Sequence, residues 1–295
     1  MSLLSLWQRA TRKAAARQAA RDEQLLMSLF LLAWAVEARD PYTGGHLWRV
    51  ARLSRLLAEA AGLPSEQVAR ITIGAFLHDL GKIGIPDAVL GKKSRLDDTE
   101  YAVIKTHPEI GHRMLAGHPL AALAEDAVLL HHETPDGRGY PYGRRGEEIP
   151  LAARIVGICD AFDAMTSTRP YRSGMPMGRA MEIIEGELGK QFDAHLGRLF
   201  IGLQAHEELA HIVGHSDEGI PLQRCLSCGP VVVRPRHAAA GDTLYCPACH
   251  SEYTIAPHDQ GLIATGKQDT ARALAVPPDS GLIGRLVGEN LAALD

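Results

Sequence analysis

The chain has 295 residues, 46% of them hydrophobic, 22% charged and 5% aromatic, and a formal net charge of −4. That balance fits a soluble globular chain with one large domain and room for one small one. The negative charge excludes a global positive field of the kind that gathers nucleic acid, so any anion site must be local.

Residues 1–36 read as an N-terminal helical extension. It begins basic and amphipathic (MSLLSLWQRATRKAAARQAAR) and lacks the apolar core and cleavage site of a signal peptide. A membrane-surface or targeting role is the alternative to a plain helix. The run Leu25 to Val36 is shorter than the roughly 20 residues that span a bilayer, which predicts a buried helix, no transmembrane segment and a cytoplasmic protein. Arg49 to Ala61 has apolar residues at helical spacing and ends at Gly62-Leu63-Pro64. The next helix is predicted from Ser65, as N-cap, to Gly81. Short helices follow in DDTEYAVIKTHPEIGHRML and AALAEDAVLLHHE, then a long buried one in LAARIVGICDAFDAMTS and two more up to Leu209. From about residue 220 the texture changes to β-branched runs, turn residues and four cysteines. Residues 258–295 read as a linker up to Pro277-Pro278 and a short helix from Ser280, with Leu282, Leu286, Leu291 and Leu294 on one side.

Seven residues of the helical part form a candidate metal constellation: His46, His78, Asp79, His107, His131, His132 and Asp160. Imidazole and carboxylate donors suit manganese, iron, zinc or nickel rather than a thiol-type site. His78-Asp79 and His131-His132 are adjacent pairs on predicted helices, where neighbours stand about 100° apart and can both reach one cleft. A carboxylate can bridge two ions, and Asp79 is the candidate because His78 beside it would hold one of them. A lone histidine is more often a surface or satisfied core residue; two adjacent pairs, each after an apolar run, favour the ligand reading.

HDLGKIGIPDAVL and HHETPDGRGYP together resemble the HD-GYP family, the cyclic di-GMP phosphodiesterase branch of the HD metallohydrolases. The resemblance covers about residues 37–205, through RDPYTGGHLWRVARL, IKTHPEIGHRML, GEEIPLAARIVGICDAFDAMTSTRPYR and GKQFDAHL. It implies an all-α HD-domain helical bundle over 37–210. It implies one metal on His46, His78, Asp79 and Asp160 and a second on Asp79, His107, His131 and His132, with iron or manganese favoured. It further implies that Lys82 faces the scissile phosphate, that Arg169 and Arg172 grip phosphates, and that the Gly-Tyr-Pro loop with Tyr140 governs substrate access and contacts diguanylate cyclases. For Lys82 the plain alternative is a surface lysine at a helix end, and for the loop an ordinary tight turn. Four positions depart from the family. Tyr42 stands where some members carry a glutamate ligand for a third metal, which favours two ions. Lys93-Ser94 replaces a Pro-Gly, and Thr168 replaces a common aspartate.

Cys225, Cys228, Cys246 and Cys249 spell C-x2-C-x17-C-x2-C, a spacing of structural zinc sites. Residues 220–257 therefore read as a small β zinc ribbon closed by four thiolates around one structural zinc. Metal binding worth roughly 10–16 kcal/mol would supply much of its folding energy. A redox switch on one Cys pair is the alternative. Cys159 reads as core packing, and His250 is unnecessary as a ligand. Arg224, Arg234, Arg236 and His237 are too few to choose DNA over protein, so a regulatory or protein-contact role is expected. Three functional readings follow: a cyclic di-GMP phosphodiesterase yielding pGpG and then GMP; a hydrolase of another cyclic dinucleotide such as cyclic GMP-AMP; and a non-catalytic adaptor that binds cyclic di-GMP or a cyclase. A homodimer is compatible with all three.

Overall fold

The computed structural model describes residues 3–40, 44–92, 94–168, 173–229, 231–257, 261–275 and 278–294. Among the described residues eleven α-helices come first: α1 (Leu3–Glu37), α2 (His46–Ala60), α3 (Ser65–Leu77), α4 (Asp87–Leu90), α5 (Asp98–Ile104), α6 (His107–Leu115), α7 (Glu125–Leu130), α8 (Leu151–Thr166), α9 (Met177–Gly186), α10 (Ala194–Gly202) and α11 (Glu207–Gly214). Short strands follow: β1 (His215–Asp217), β2 (Ile220–Pro221), β3 (Gln223–Arg224), β4 (Val231–Val232), β5 (Thr243–Tyr245), β6 (Ser251–Ile255) and β7 (Leu262–Gln268). Helices α12 (Thr270–Leu274) and α13 (Ser280–Leu291) close the chain. No described helix is long and apolar enough to cross a membrane.

One hydrophobic core is shared by most of the helices. α2 buries Val50, Leu53 and Leu57, spaced three and four apart, against Ile73, Phe76 and Leu77 of α3 and Ile155 and Phe162 of α8. Phe30 of α1 stacks on Phe76 at 4.3 Å, and Phe162 meets Phe200 of α10 edge-on at 4.9 Å. Residues 11–21 of α1 stand in solvent, whereas Leu26, Phe30 and Ala33 enter the shared core. Its N-terminal stretch is therefore an extension and its C-terminal half is part of the bundle.

Several local readings differ from the structure, among them the helix expected to run to Leu209, which breaks at residues 203–205. Ser65 is the first helical residue of α3, and Pro64 occupies the cap position with no side-chain cap; proline has the right φ and no N–H to satisfy. The same helix stops at Leu77 instead of Gly81, and Leu80–Gly84 forms a 3-10 turn. The stretch read as linker contains β7, which pairs antiparallel with β6. Nearly every residue of β7 is exposed, so it carries no apolar alternation to betray it. Finally, α13 buries Leu282, Ile283, Leu286, Val287 and Asn290, a wider stripe than the leucines alone mark, and packs against α1.

The strand region has a small core of its own, made of Cys225, Val232, Ala238, Leu244, Cys246, Tyr253 and Ile255. β3 pairs with β4, and β5, β6 and β7 form a three-stranded antiparallel sheet. This arrangement fits a zinc ribbon appended to the helical bundle.

Candidate metal centre

Local backbone geometry brings the candidate ligands to one place. His46 opens α2 directly after Gly45, whose φ of 73° lets the chain turn sharply into the helix. His78 caps the C-terminus of α3, Asp79 begins the 3-10 turn, and His131 caps α7 with His132 after it. Both pairs thus sit at helix ends rather than within helices, where the chain leaves the helix and both side chains can face the cleft. His107 opens α6 ahead of Pro108. Gly81 lets the turn lie on α6, since a Cβ there would come 1.9 Å from the His107 carbonyl oxygen. Gly157 does the same for α8 against α7, with 2.7 Å to the His131 carbonyl oxygen.

Two groups of donors result. The donor atoms of His46, His78 and Asp79 lie within 4.8 Å of one another, as do those of His107, His131 and His132. Asp160 Oδ1 stands 3.5 Å from His46 Nε2 and 3.9 Å from His78 Nε2. Asp79 lies between the groups. Its Oδ2 is 3.5 Å from His46 Nε2 and 3.4 Å from His78 Nε2, and its Oδ1 is 3.4 Å from His107 Nε2.

The ring nitrogens show that these residues fit metal ions. The Nδ1 atoms of His78, His107 and His131 lie 2.6–2.8 Å from the carbonyl oxygens of Ala75, Ile104 and Ala127. A carbonyl only accepts, so each Nδ1 carries the proton and each Nε2 turns a lone pair inward. His107 Nε2 and His131 Nε2 then face each other at 3.2 Å with no proton between them. His78 Nε2 is buried without any hydrogen-bond partner. Such a cluster of inward lone pairs calls for a cation. Burial, reinforced by neighbouring imidazoles, pushes His132 down to about 3 and His131 in the same direction. Burial also takes His107 down to about 4. All three are held in the neutral form that ligates metal. Burial lowers His46 too, but its contacts with Asp163 and Asp79 outweigh that and raise it to about 9, so the field at this nitrogen favours positive charge. Burial alone would raise Asp79, yet the ammonium of Lys82 beside it holds it well below the usual carboxylate range.

Lys82 Nζ lies 2.6 Å from Asp79 Oδ2, at the edge of the cluster. Tyr140 stacks on His132, with ring centres 4.6 Å apart, and its N–H donates to the His132 carbonyl at 3.1 Å. Gly139 is needed at this point, because a Cβ would come within 2.5 Å of His132 O and Glu133 Cα. Arg169 and Arg172 lie outside the described residues, as do Tyr42 and Lys93.

Sequence reasoning missed three supporting residues. Asp163 accepts from His46 Nδ1 at 2.8 Å and from Arg49 Nε at 2.5 Å, with both partners buried. Its signal was an acid one turn after Asp160 on an otherwise apolar helix, and that of Arg49 a cation on the buried stripe of α2. The third is Glu133, 6% exposed, which accepts the backbone N–H groups of Tyr142 at 2.6 Å and Arg144 at 3.0 Å and so fixes the Gly-Tyr-Pro loop. Hydrogen bonds to a charged group contribute about 1.5–3 kcal/mol each. Glu133→Ala is therefore expected to speed amide exchange at Tyr142 and Arg144 by about tenfold or more, read by hydrogen–deuterium exchange; unchanged exchange there would show that the loop is held by other contacts.

The four cysteines also converge. Their Sγ atoms lie 3.4 Å apart for Cys225–Cys228 and 3.5 Å for Cys228–Cys246 and Cys225–Cys249. A tetrahedral zinc with bonds of about 2.3 Å spaces its sulfurs about 3.8 Å apart, close to these values. Burial would raise the Cys225 thiol, but the Tyr253 hydroxyl at 3.0 Å and the N–H groups of Cys228 and Ser227 take it down to about 6.

A family model described as HD domain matches residues 31–196. The cyclic di-GMP phosphodiesterase response regulator RpfG of Xanthomonas campestris is 43% identical over 174 residues, covering 58% of this chain and 46% of that protein. A cyclic di-GMP phosphodiesterase of Thermotoga maritima is 36% identical over 212 residues, covering 68% of this chain and 58% of the relative. The 3'3'-cGAMP-specific phosphodiesterase 3 of Vibrio cholerae is 38% identical over 159 residues, covering 54% and 34%. In each case the matched region is less than two thirds of the relative's own length.

Proposed function

Because the chain belongs to the HD-domain family and carries the HD-GYP signature in His78-Asp79 and Gly139-Tyr140-Pro141, we propose that it is a metal-dependent phosphodiesterase. Its substrate is cyclic di-GMP and its first product pGpG, with GMP formed if the linear product is cut again. One observation carries this reading: Asp79 turns one oxygen to His46 and His78 and the other to His107. That is the disposition expected of a carboxylate shared by two cations. HD-domain membership implies divalent metal. We assign one ion to His46, His78, Asp79 and Asp160 and a second to Asp79, His107, His131 and His132, with iron or manganese matching the nitrogen and oxygen donors. When bound, such a pair activates water and neutralises charge at phosphorus.

The protein's own groups do the rest. Lys82 sets an ammonium at the edge of the cluster, where it offsets charge on the phosphate and can protonate the leaving 3′ oxygen. Tyr140 packs on His132 and borders the cleft. Arg169 and Arg172 are assigned the substrate's phosphates because a guanidinium grips phosphate with two parallel donors. Lys82→Ala is expected to lower kcat by about 100-fold while metal content stays at the wild-type level. An unchanged kcat in protein of full metal content would remove Lys82 from the reaction.

The test of the function is to incubate the chain, loaded anaerobically with Fe(II) or Mn(II), with cyclic di-GMP and with cyclic GMP-AMP in parallel, and to separate products by chromatography. Preferential release of pGpG supports the reading. Preferential cleavage of cyclic GMP-AMP would favour the second substrate, which similarity to the Vibrio cholerae enzyme makes the nearest competitor. Binding of cyclic di-GMP without turnover in fully metallated protein would favour the adaptor. A second messenger as substrate assigns the chain to the cytoplasm, with diguanylate cyclases as partners at the Gly-Tyr-Pro loop and one structural zinc in the ribbon.

A further inference from the structure

Three close approaches join the four-cysteine module and its leading strand to the two segments that flank the metal centre. At Gly44 a Cβ would lie 2.9 Å from Val233 Cγ2 and 3.4 Å from Val231 Cβ. β4 and the residue after it thus lie flush against the backbone two residues before His46. At Gly45 a Cβ would lie 2.9 Å from both Cα and O of Ser216 on β1. At Gly229, directly after Cys228, it would lie 3.1 Å from Thr168 Cγ2. Thr168 precedes Arg169 in the chain and accepts the N–H of Gly174 at 3.2 Å.

Hydrogen bonds connect those segments to the ligands. Arg49 donates from Nη1 to the Gly44 carbonyl at 3.0 Å and from Nη2 to Ser167 Oγ at 3.3 Å, while its Nε engages Asp163, which holds His46. The module is fastened on another side as well. Arg236 pairs with Asp217, whose carboxylate also receives Arg285 of α13 at 3.1 Å. A module with seven buried core residues and strands of two to seven residues has little apolar burial to hold its shape. The surface it offers to Gly44 and Thr168 must depend on whatever ties its four thiols together.

We propose that the ribbon is a positioning element of the catalytic cleft. Its first knuckle and β4 clamp Gly44 and Thr168, so the state of the four-cysteine site sets how firmly the His46 end of α2 and the segment leading to Arg169 and Arg172 are held. The kinetic consequence rests on the phosphodiesterase reading; the structural consequence does not.

The experiment compares four full-length chains, wild type, Cys228→Ser, Val233→Asp and Val233→Ile, at saturating Mn(II). Elemental analysis gives their zinc content, hydrogen exchange the local protection, and kinetics KM and kcat. Cys228→Ser should lose zinc, whereas Val233→Asp should keep it, having all four thiols. Outside the ribbon itself, both should show about tenfold faster exchange confined to residues 44–50 and 163–168. Both should also raise KM for cyclic di-GMP by about fivefold, with kcat within about twofold of wild type. Val233→Ile should match wild type. Unchanged exchange and KM in Val233→Asp would overturn the proposal. Faster exchange spread over the whole chain would overturn it too, by assigning the variants a general stability defect. Zinc-free wild-type protein would refute the metal assignment of the cysteines, and Val233→Asp would still decide the clamp. If the wild type does not turn over cyclic di-GMP, the phosphodiesterase reading fails separately and exchange alone decides.

Discussion

Replacing Asp79 with alanine is expected to lower turnover of cyclic di-GMP by about three orders of magnitude and to strip the protein of bound divalent metal. The argument is geometric. No other described side chain faces both donor groups in this way, with Oδ2 at 3.5 and 3.4 Å from His46 and His78 and Oδ1 at 3.4 Å from His107. Its removal deprives each group of a negative ligand and also leaves Lys82, 2.6 Å away, without its carboxylate. Loss of several kcal/mol of charge stabilisation corresponds to about a thousandfold in rate. Asp79→Asn separates shape from charge. It keeps one oxygen donor in nearly the same place, so it should retain more metal than the alanine variant while still turning over slowly. Elemental analysis beside chromatographic assay reads both effects. An Asp79→Ala protein that keeps two equivalents of metal and turns over within about tenfold of wild type would sink the assignment of Asp79 as the shared ligand.

Five of the seven candidate ligands fall at a local signal: His78-Asp79 and His131-His132 are adjacent pairs after apolar runs, and His107 stands next to a proline, whereas His46 and Asp160 have no such mark and rest on the ordered motifs of the family resemblance. What holds the ligands was not legible in the sequence. Asp163 meets Arg49 across 114 residues and His46 across 117, and no local pattern announces a pairing at that separation. Glu133 looked like part of the histidine motif, yet its carboxylate faces forward to the backbone of Tyr142 and Arg144. The helices were read correctly where an apolar stripe faces a core, as in α2. Reading failed where burial is not the organising force: β7 is held by backbone pairing to β6, and α3 ends where its last turn must give way to a glycine lying on another helix. The cysteine spacing was legible because a metal site imposes its own period on the chain. The packing of that site against Gly44 and Thr168 had no sequence signal apart from the glycines themselves.

Asp163→Ala is the substitution expected to cost most stability. The carboxylate is 3% exposed and its partner Arg49 2% exposed. Removing it leaves a guanidinium in the core that has lost its hydrogen-bonded carboxylate and keeps the hydrogen bonds to the Gly44 carbonyl and Ser167 Oγ. An uncompensated buried charge of this kind typically costs about 3–5 kcal/mol, a fall in Tm of about 10 °C in a chain of this size. His46 loses the acceptor that orients its ring, so affinity for divalent metal should fall by about 10–100-fold as well. The two effects can be separated. An Arg49→Met, Asp163→Leu double variant removes both charges and refills the space, which should restore much of the Tm because a buried ion pair gives little net stability over apolar packing. It cannot restore the His46 hydrogen bond, so metal affinity should stay low. Thermal unfolding of the metal-free proteins and metal titration of each variant measure the two quantities independently. Recovery of metal affinity together with Tm in the double variant would show that Asp163 acts on the centre only by keeping the fold intact. Recovery of Tm alone would establish it as the residue that aims His46.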